Sequence, residues 1–321
     1  MYSNSESSFS DFMRRMSRFV VCVSAALAAS FRVAALFASE QVPMFQRALV
    51  TSISEPVTLS VAVSAGNVTI GYSRDDEVDI YASGKDAGGK DLPGEFFQNK
   101  LVIEQKENSV SIREIPGVGA LLGSLYSIEY RIDVPYRTEV DSTVSGAGNQ
   151  TLEGVYGPAK LLSGTGDIDA KYVRFAPVDA KTGKGNISCT RCFEVSAETG
   201  EGNITLLENG NSKALVKSGP GRIQIGGARG AVDASTQAGA LHIKAVLSDD
   251  WQLKSGSGSI RVELPPKAKF ELEASSDSGE INIDRDDMQK PEGEIHHLHQ
   301  QVNGGGKHIF ARSIKGGISI E

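Results

Sequence analysis

Cysteine, aromatic side chains and positive charge are all scarce in this chain, and each scarcity excludes something. With only three cysteines, no disulfide framework of the small secreted type can hold the fold together. Two of them, Cys189 and Cys192, form a lone C-x-x-C, half the ligand set of a structural zinc site. Aromatics make up 7% of 321 residues while glycine contributes 35. That balance favours many short strands joined by tight turns over a helical bundle. The glycines follow no three-residue period, which excludes collagen.

The formal charge is −7, and removing residues 1–38 takes away Arg14, Arg15, Arg18 and Arg32 against Glu6 and Asp11, leaving about −9. An acidic body argues against a general binder of phosphate backbones, so no nucleic-acid partner is expected. Arg32 interrupts the one long apolar stretch, and nothing else approaches the length of a spanning helix. No integral membrane span is therefore expected in the mature chain.

What is present begins with a leader. Met13-Arg14-Arg15-Met16-Ser17-Arg18 is basic, Phe19 to Ala29 is apolar and small, and Ala26-Leu27-Ala28 is a small-x-small site. This is the order of an export signal, assigned to residues 1–40. The protein is accordingly expected in the periplasm, the cell envelope or the medium. The same Ser- and Arg-rich stretch could instead serve as an uncleaved anchor or a transit peptide.

The body is dominated by a repeat. A Gly-x-(Ile/Leu) unit recurs at Gly166, Gly185, Gly202, Gly221, Gly239, Gly258 and Gly279, with intervals of 19, 17, 19, 18, 19 and 21 residues. A last copy at Gly316 follows 37 residues later, about two periods on. Most copies carry a second glycine two positions earlier, as in Ser163-Gly164-Thr165-Gly166. Residues after each turn alternate with period two, which is strand behaviour. The inward pairs run Ile168/Ala170, Ile187/Cys189, Ile204/Leu206, Ile223/Ile225, Leu241/Ile243, Ile260/Val262 and Ile281/Ile283. Asp169, Ser188, Thr205, Gln224, His242, Arg261 and Asn282 are sandwiched between them. Seven and five residues before the glycine a second set alternates in the same way, from Ala159/Leu161 to Trp251/Leu253 and Leu272/Ala274.

Each repeat thus offers two short strands around a Gly-rich turn. One coil alone cannot bury both apolar rows, but a stack of coils can. The expected fold is all-β: a parallel β-solenoid of two sheets, a β-helix or β-roll, with coils of roughly nineteen residues. Residues 41–140 are expected to form an N-terminal β region that starts the solenoid. Leu59 to Val63 leads into Ala65-Gly66-Asn67-Val68, an early copy of the turn, and Ser83–Gly94 and Val118–Ser124 read as loops. Residues 141–321 are the repeat array, with a polar excursion near 284–293.

These residues resemble a known pattern. Ile132-Asp-Val134-Pro135, Ser145-Gly-Ala-Gly148, the repeated Ser/Thr-Gly-x-Gly-(Asp/Asn)-Ile turns and the closing Val302-Asn-Gly-Gly-Gly306 to Ile318-Ser-Ile320 are similar to the putative-adhesin family of bacterial β-solenoid domains. The likeness covers about residues 55–321. It implies an exported cell-envelope or secreted protein, and it carries no catalytic residues over.

Cys189 and Cys192 could form a disulfide after export, or stay as two buried thiols. The first sits in a strand and not at a helix N-terminus, where redox chemistry wants it. His296, His297 and His299, with His308, could ligate a transition metal, but the simpler reading is a solvated strand edge. Calcium-binding β-rolls need a nine-residue repeat, which is absent. Glycosidase chemistry needs paired carboxylates. Asp179 and Asp233 share one outward column but stand three coils apart, about 14 Å. No cofactor and no catalytic residue is expected. The sequence therefore points to a non-enzymatic structural or adhesin-like solenoid. It would present a rigid polar face to an extended partner, a glycan or an envelope protein. The alternatives are a carbohydrate-active enzyme on a β-helix scaffold and an envelope-stress scaffolding or sensory protein.

Overall fold

A computed structural model describes residues 45–52, 54–115, 125–209, 213–289 and 292–321. The leader and the expected loop at Val118–Ser124 lie outside the described residues. Two sheets of 13 strands each face one another across a continuous apolar core. Each turn of the chain places one strand in each sheet, and neighbouring strands within the array are parallel.

The register follows the inward columns read from the repeat. Ile168, Ile187, Ile204, Ile223, Leu241 and Ile260 are consecutive partners in the first sheet. Ala159, Val178, Val195, Ala214, Val232 and Trp251 do the same in the second. All are buried, and alanine opposite larger residues keeps the core narrow.

Three ladders run up the glycine edge. The second glycine of each turn lies against the carbonyl oxygen of its counterpart one rung below, so no side chain fits there. Beside it, a buried hydroxyl column donates to glycine carbonyls. Ser163, Thr182, Thr199 and Ser218 bond the oxygens of Gly148, Gly166, Gly185 and Gly202 at 2.8–3.0 Å. An Asn/Asp column completes the edge. The Oδ1 atoms of Asn67, Asn149, Asp167, Asn186 and Asn203 each accept the amide N–H of the next rung's turn at 2.7–2.9 Å. These residues do more than tolerate a turn conformation. They satisfy backbone amides that the strands leave unpaired.

The two ends depart from simple stacking. At the N-terminal end, Phe45–Val50 pairs antiparallel with Glu77–Asp86, and Leu101–Lys106 with Ser109–Glu114. The stretch read as a loop, Ser83–Gly94, is strand as far as Asp86, and a short helix, Gly94–Gln98, starts at its end with Phe97 buried. At the C-terminal end, His297–Val302 pairs antiparallel with Phe270–Ser276. Antiparallel strands thus form three of the four sheet edges, and the first sheet ends on Ile281–Ile283, which pairs in parallel.

The order of rungs at this end departs from their order along the chain. The final copy, Ile318–Ile320, does not stack last. It pairs with Ile260–Glu263 on one side and Ile281–Ile283 on the other. Lys307–Ser313 likewise sits between Trp251–Ser255 and Phe270–Ser276. The chain skips a rung after Glu263, builds the end of the stack, reverses, and returns to fill the gap. Since all rungs share one chemistry, spacing along the chain does not say which gap a repeat fills.

The polar excursion holds the end together. Arg285 is buried and donates to the carbonyl oxygens of Leu264, Pro265 and Glu321 at 3.1–3.3 Å. Its guanidinium also pairs with Asp287 at 2.8 Å and lies over Phe270. That contact holds the Asp287 carboxyl down at about 2, from 3.8. A carboxylate with a depressed pKa stabilises the fold fully above its unfolded value, and the contribution is lost as pH falls toward the folded one. Thermal melts are therefore expected to show the parent losing stability relative to Asp287→Asn between about pH 4 and pH 2. A gap between the two that is the same at every pH would refute the assignment.

Candidate functional site

The outer surfaces of the sheets are the first candidate. In the first sheet Asp169, Ser188, Thr205, Gln224 and His242 line up on successive rungs. In the second, Asp141, Lys160, Asp179 and Ser196 do so. Opposite charges neutralise one another across rungs. Lys160 meets Asp141 at 3.5 Å, and Glu198 lies between Lys181 at 3.9 Å and Lys217 at 3.5 Å. Such exposed pairs add little stability, but they leave a polar face without a dominant sign. Asp179 is separated from Asp233 by the rungs of Ser196 and Leu215, the spacing the repeat predicted.

Cys189 ends the inward column of its strand, and Cys192 follows a corner turned by Arg191 at φ 57°. Both are buried free thiols. Cys192 donates toward the carbonyl of Ala170 at 3.5 Å. The hydrogen bond between the two thiols, and then burial, push Cys189 well above the ordinary thiol range. The same bond lowers Cys192, but both sulfurs are buried away from solvent and neither is presented to an outside substrate.

The histidines divide between two places. His296 bonds the carbonyl of Gly279 through Nδ1 at 2.8 Å. His299 and His308 approach the two oxygens of Glu271 at 2.8 and 3.4 Å. The three imidazoles are exposed. Among the described residues no group of three or more His, Cys, Asp or Glu side chains is arranged to hold a metal.

The second candidate is the edge opposite the glycines, where the first sheet hands over to the second. Toward its C-terminal end lies a cleft of about 590 Å³ lined by Arg229, Lys244, Val246, Leu264, Pro265 and Pro266 among others. Glu263 beside it is tied to Lys244 at 2.8 Å and His242 at 2.6 Å, which lowers its pKa. That carboxylate is engaged and is no free general base.

Toward the N-terminal end the same edge carries aromatic rings. Tyr72, Tyr136, Tyr156 and Phe175 follow one another with centroids 6.4, 5.6 and 6.0 Å apart, packed edge to face. Their exposures are 46, 45, 41 and 78%. Phe193 occupies the next connection, also exposed. Sequence reading passed over this row because it followed the strands and the glycine turns. Yet Tyr136, Tyr156, Phe175 and Phe193 are spaced by 20, 19 and 18 residues, the period of the coil.

Comparison with known proteins bears on the fold. A family model described as Toastrack DUF4097 matches residues 57–321. No curated protein matches the sequence. Among solved structures the chain is similar to a "putative adhesin" from Bacteroides fragilis, at 14% identity and a TM-score of 0.41, covering 86% of this chain and 95% of that one. It is also similar to a "putative lipid binding protein" from Parabacteroides distasonis, at 12% and 0.43, covering 86% and 96%. A "putative cell adhesion protein" from Clostridium sporogenes shares 14% identity at a TM-score of 0.27, covering 86% and 97%.

Proposed function

The chain belongs to the Toastrack DUF4097 family, and from that premise we propose that it is a non-enzymatic, exported, adhesin-like solenoid that presents a rigid polar face to an extended partner in the cell envelope. The observation that carries this reading is the pair of long parallel sheets. Their outward side chains repeat at every rung, while inward ones form one uninterrupted core. A stack of this kind is stiff along its axis, and its surface offers hydrogen-bonding groups at the strand spacing of about 4.8 Å. An extended polymer could bind many rungs, each weakly. The leader at residues 1–40 supplies the route out of the cytoplasm.

Cell fractionation tests the proposal. The full-length protein, expressed in a bacterial host, is expected in the envelope or periplasmic fraction with its N-terminus shortened near Ala28. In that oxidising compartment Cys189 and Cys192 would close into a disulfide, read as the absence of titratable thiol in denaturant before reduction. The purified protein is then expected to co-sediment with isolated envelope. A cytosolic protein with an intact N-terminus, or one that ignores envelope material, would sink the reading.

A further inference from the structure

Apolar rings gain most when buried, yet four successive rings stand exposed along one edge of this solenoid. Resting on the reading above, we infer that this row is a subsite for an extended, uncharged polysaccharide, whose sugar rings pack along the faces and edges presented in turn by Tyr136, Tyr156 and Phe175. Three observations carry the inference.

The first is periodicity. The connections that bear Tyr136, Tyr156 and Phe175 lie on consecutive rungs, so the rings repeat with the coil. The row from Tyr72 to Phe175 spans at most about 18 Å. A regular row suits a repeating polymer better than the irregular surface of a folded protein. Sugar C–H groups carry partial positive charge and are attracted to the negative face of an aromatic ring.

The second is the charge around the rings. Arg137 and Arg174 are exposed neighbours of Tyr136 and Phe175, and Glu139 and Glu194 flank the same edge. None of the four makes an ion pair or side-chain hydrogen bond among the described residues. They carry two positive and two negative charges and offer both hydrogen-bond donors and acceptors, which suits hydroxyl groups. An anionic chain would meet as much repulsion as attraction.

The third is conformation. Phe175 has φ 66°, a left-handed backbone that bulky L residues rarely adopt, and it projects the most exposed ring of the row. Strain that delivers an apolar ring to solvent does nothing for the core. Its place is at a surface that is used.

Affinity electrophoresis of the full-length protein tests the subsite. Gels would contain mixed-linkage β-glucan, xylan or mannan as neutral polymers, and polygalacturonate as the anionic one. Retardation is expected with at least one neutral polymer and not with polygalacturonate. Tyr136→Ala/Phe175→Ala should weaken the retarding interaction at least tenfold while the protein still melts cooperatively. If the double variant does not fold, Phe175→Ala alone carries the test, because its ring is mostly in water. Absence of retardation by every neutral polymer, retention by polygalacturonate alone, or equal retardation of parent and variant would each overturn the inference. Envelope co-sedimentation that survives loss of the rings would overturn the subsite but leave the exported scaffold standing. Loss of co-sedimentation in the parent protein would instead overturn the scaffold reading.

Discussion

Replacement of Ile223 by Asp is expected to abolish the cooperative melt of the array. Ile223 is fully buried, and its partners on the adjacent rungs are Ile204 and Leu241. Removing the side chain forfeits about 2–5 kcal/mol of packing. An unpaired carboxylate in its place adds several kcal/mol more. The sum rivals the whole stability of an ordinary domain, about 5–15 kcal/mol. Because each rung is held mainly by its neighbours, the damage should centre on the rungs around 204–241. Limited proteolysis should cut there first. Gln224→Asp is the control. It introduces the same charge one residue away, on the outward column between Thr205 and His242, and should change stability by less than about 0.5 kcal/mol. A one-residue error in register would exchange the two results. An Ile223→Asp protein that melts like the parent would reject the register altogether.

The contrast between those two positions shows how much of the fold could be read from the residues. Alternation around each glycine gave the inward columns, because a narrow two-sheet core admits only one side of each strand. What alternation could not give was the order of rungs at the C-terminal end. The strands around Ile260, Ile281 and Ile318 are chemically equivalent, so the insertion of the last between the other two depends on how the excursion folds back. Arg285 holds that fold-back in place. It reads as one charge in a polar loop, and its role appears only when three backbone carbonyls converge on it. The capping helix at Gly94–Gln98 escaped notice for a related reason. It is a single turn, held by burial of Phe97 and not by helix propensity.

The candidate surfaces were legible in a different measure. Outward polar columns follow from the same alternation as the core. The aromatic edge needed one further step, a search for the coil period outside the strands. Tyr136, Tyr156, Phe175 and Phe193 lie in connections, where neither alternation nor turn chemistry directs attention. The Asn/Asp ladder was half visible. Asn149, Asp167, Asn186 and Asn203 stood out as turn residues, but the bond each makes to the next rung's amide belongs to the stack and to no single coil.

Gly202→Ala should reveal how tightly that stack is closed. A methyl group at residue 202 would land on the carbonyl oxygen and carbon of Gly185, which are backbone atoms and cannot swing away. Relief requires the two rungs to part at the turn. Parting them also stretches the bond from the Thr199 hydroxyl to the Gly185 oxygen, now 2.8 Å, and the one from the Asn203 amide to Asn186, now 2.9 Å. Forced overpacking of this kind costs about 3 kcal/mol or more. For a body of this size that corresponds to a fall in melting temperature of roughly 5 °C or more. Gly89→Ala provides the reference, since that glycine also has a positive φ, 80°, but a methyl group there would meet nothing within 4 Å. Its melting temperature should stay within about 2 °C of the parent, as expected for left-handed backbone strain of about 1 kcal/mol with no clash. The comparison separates two explanations of the repeated glycine. If backbone flexibility were the whole reason for it, the two substitutions would differ little. If close stacking of rungs is the reason, Gly202→Ala alone should loosen the glycine edge, with faster amide exchange at Asn186 and Asn203 than in the strands beside them.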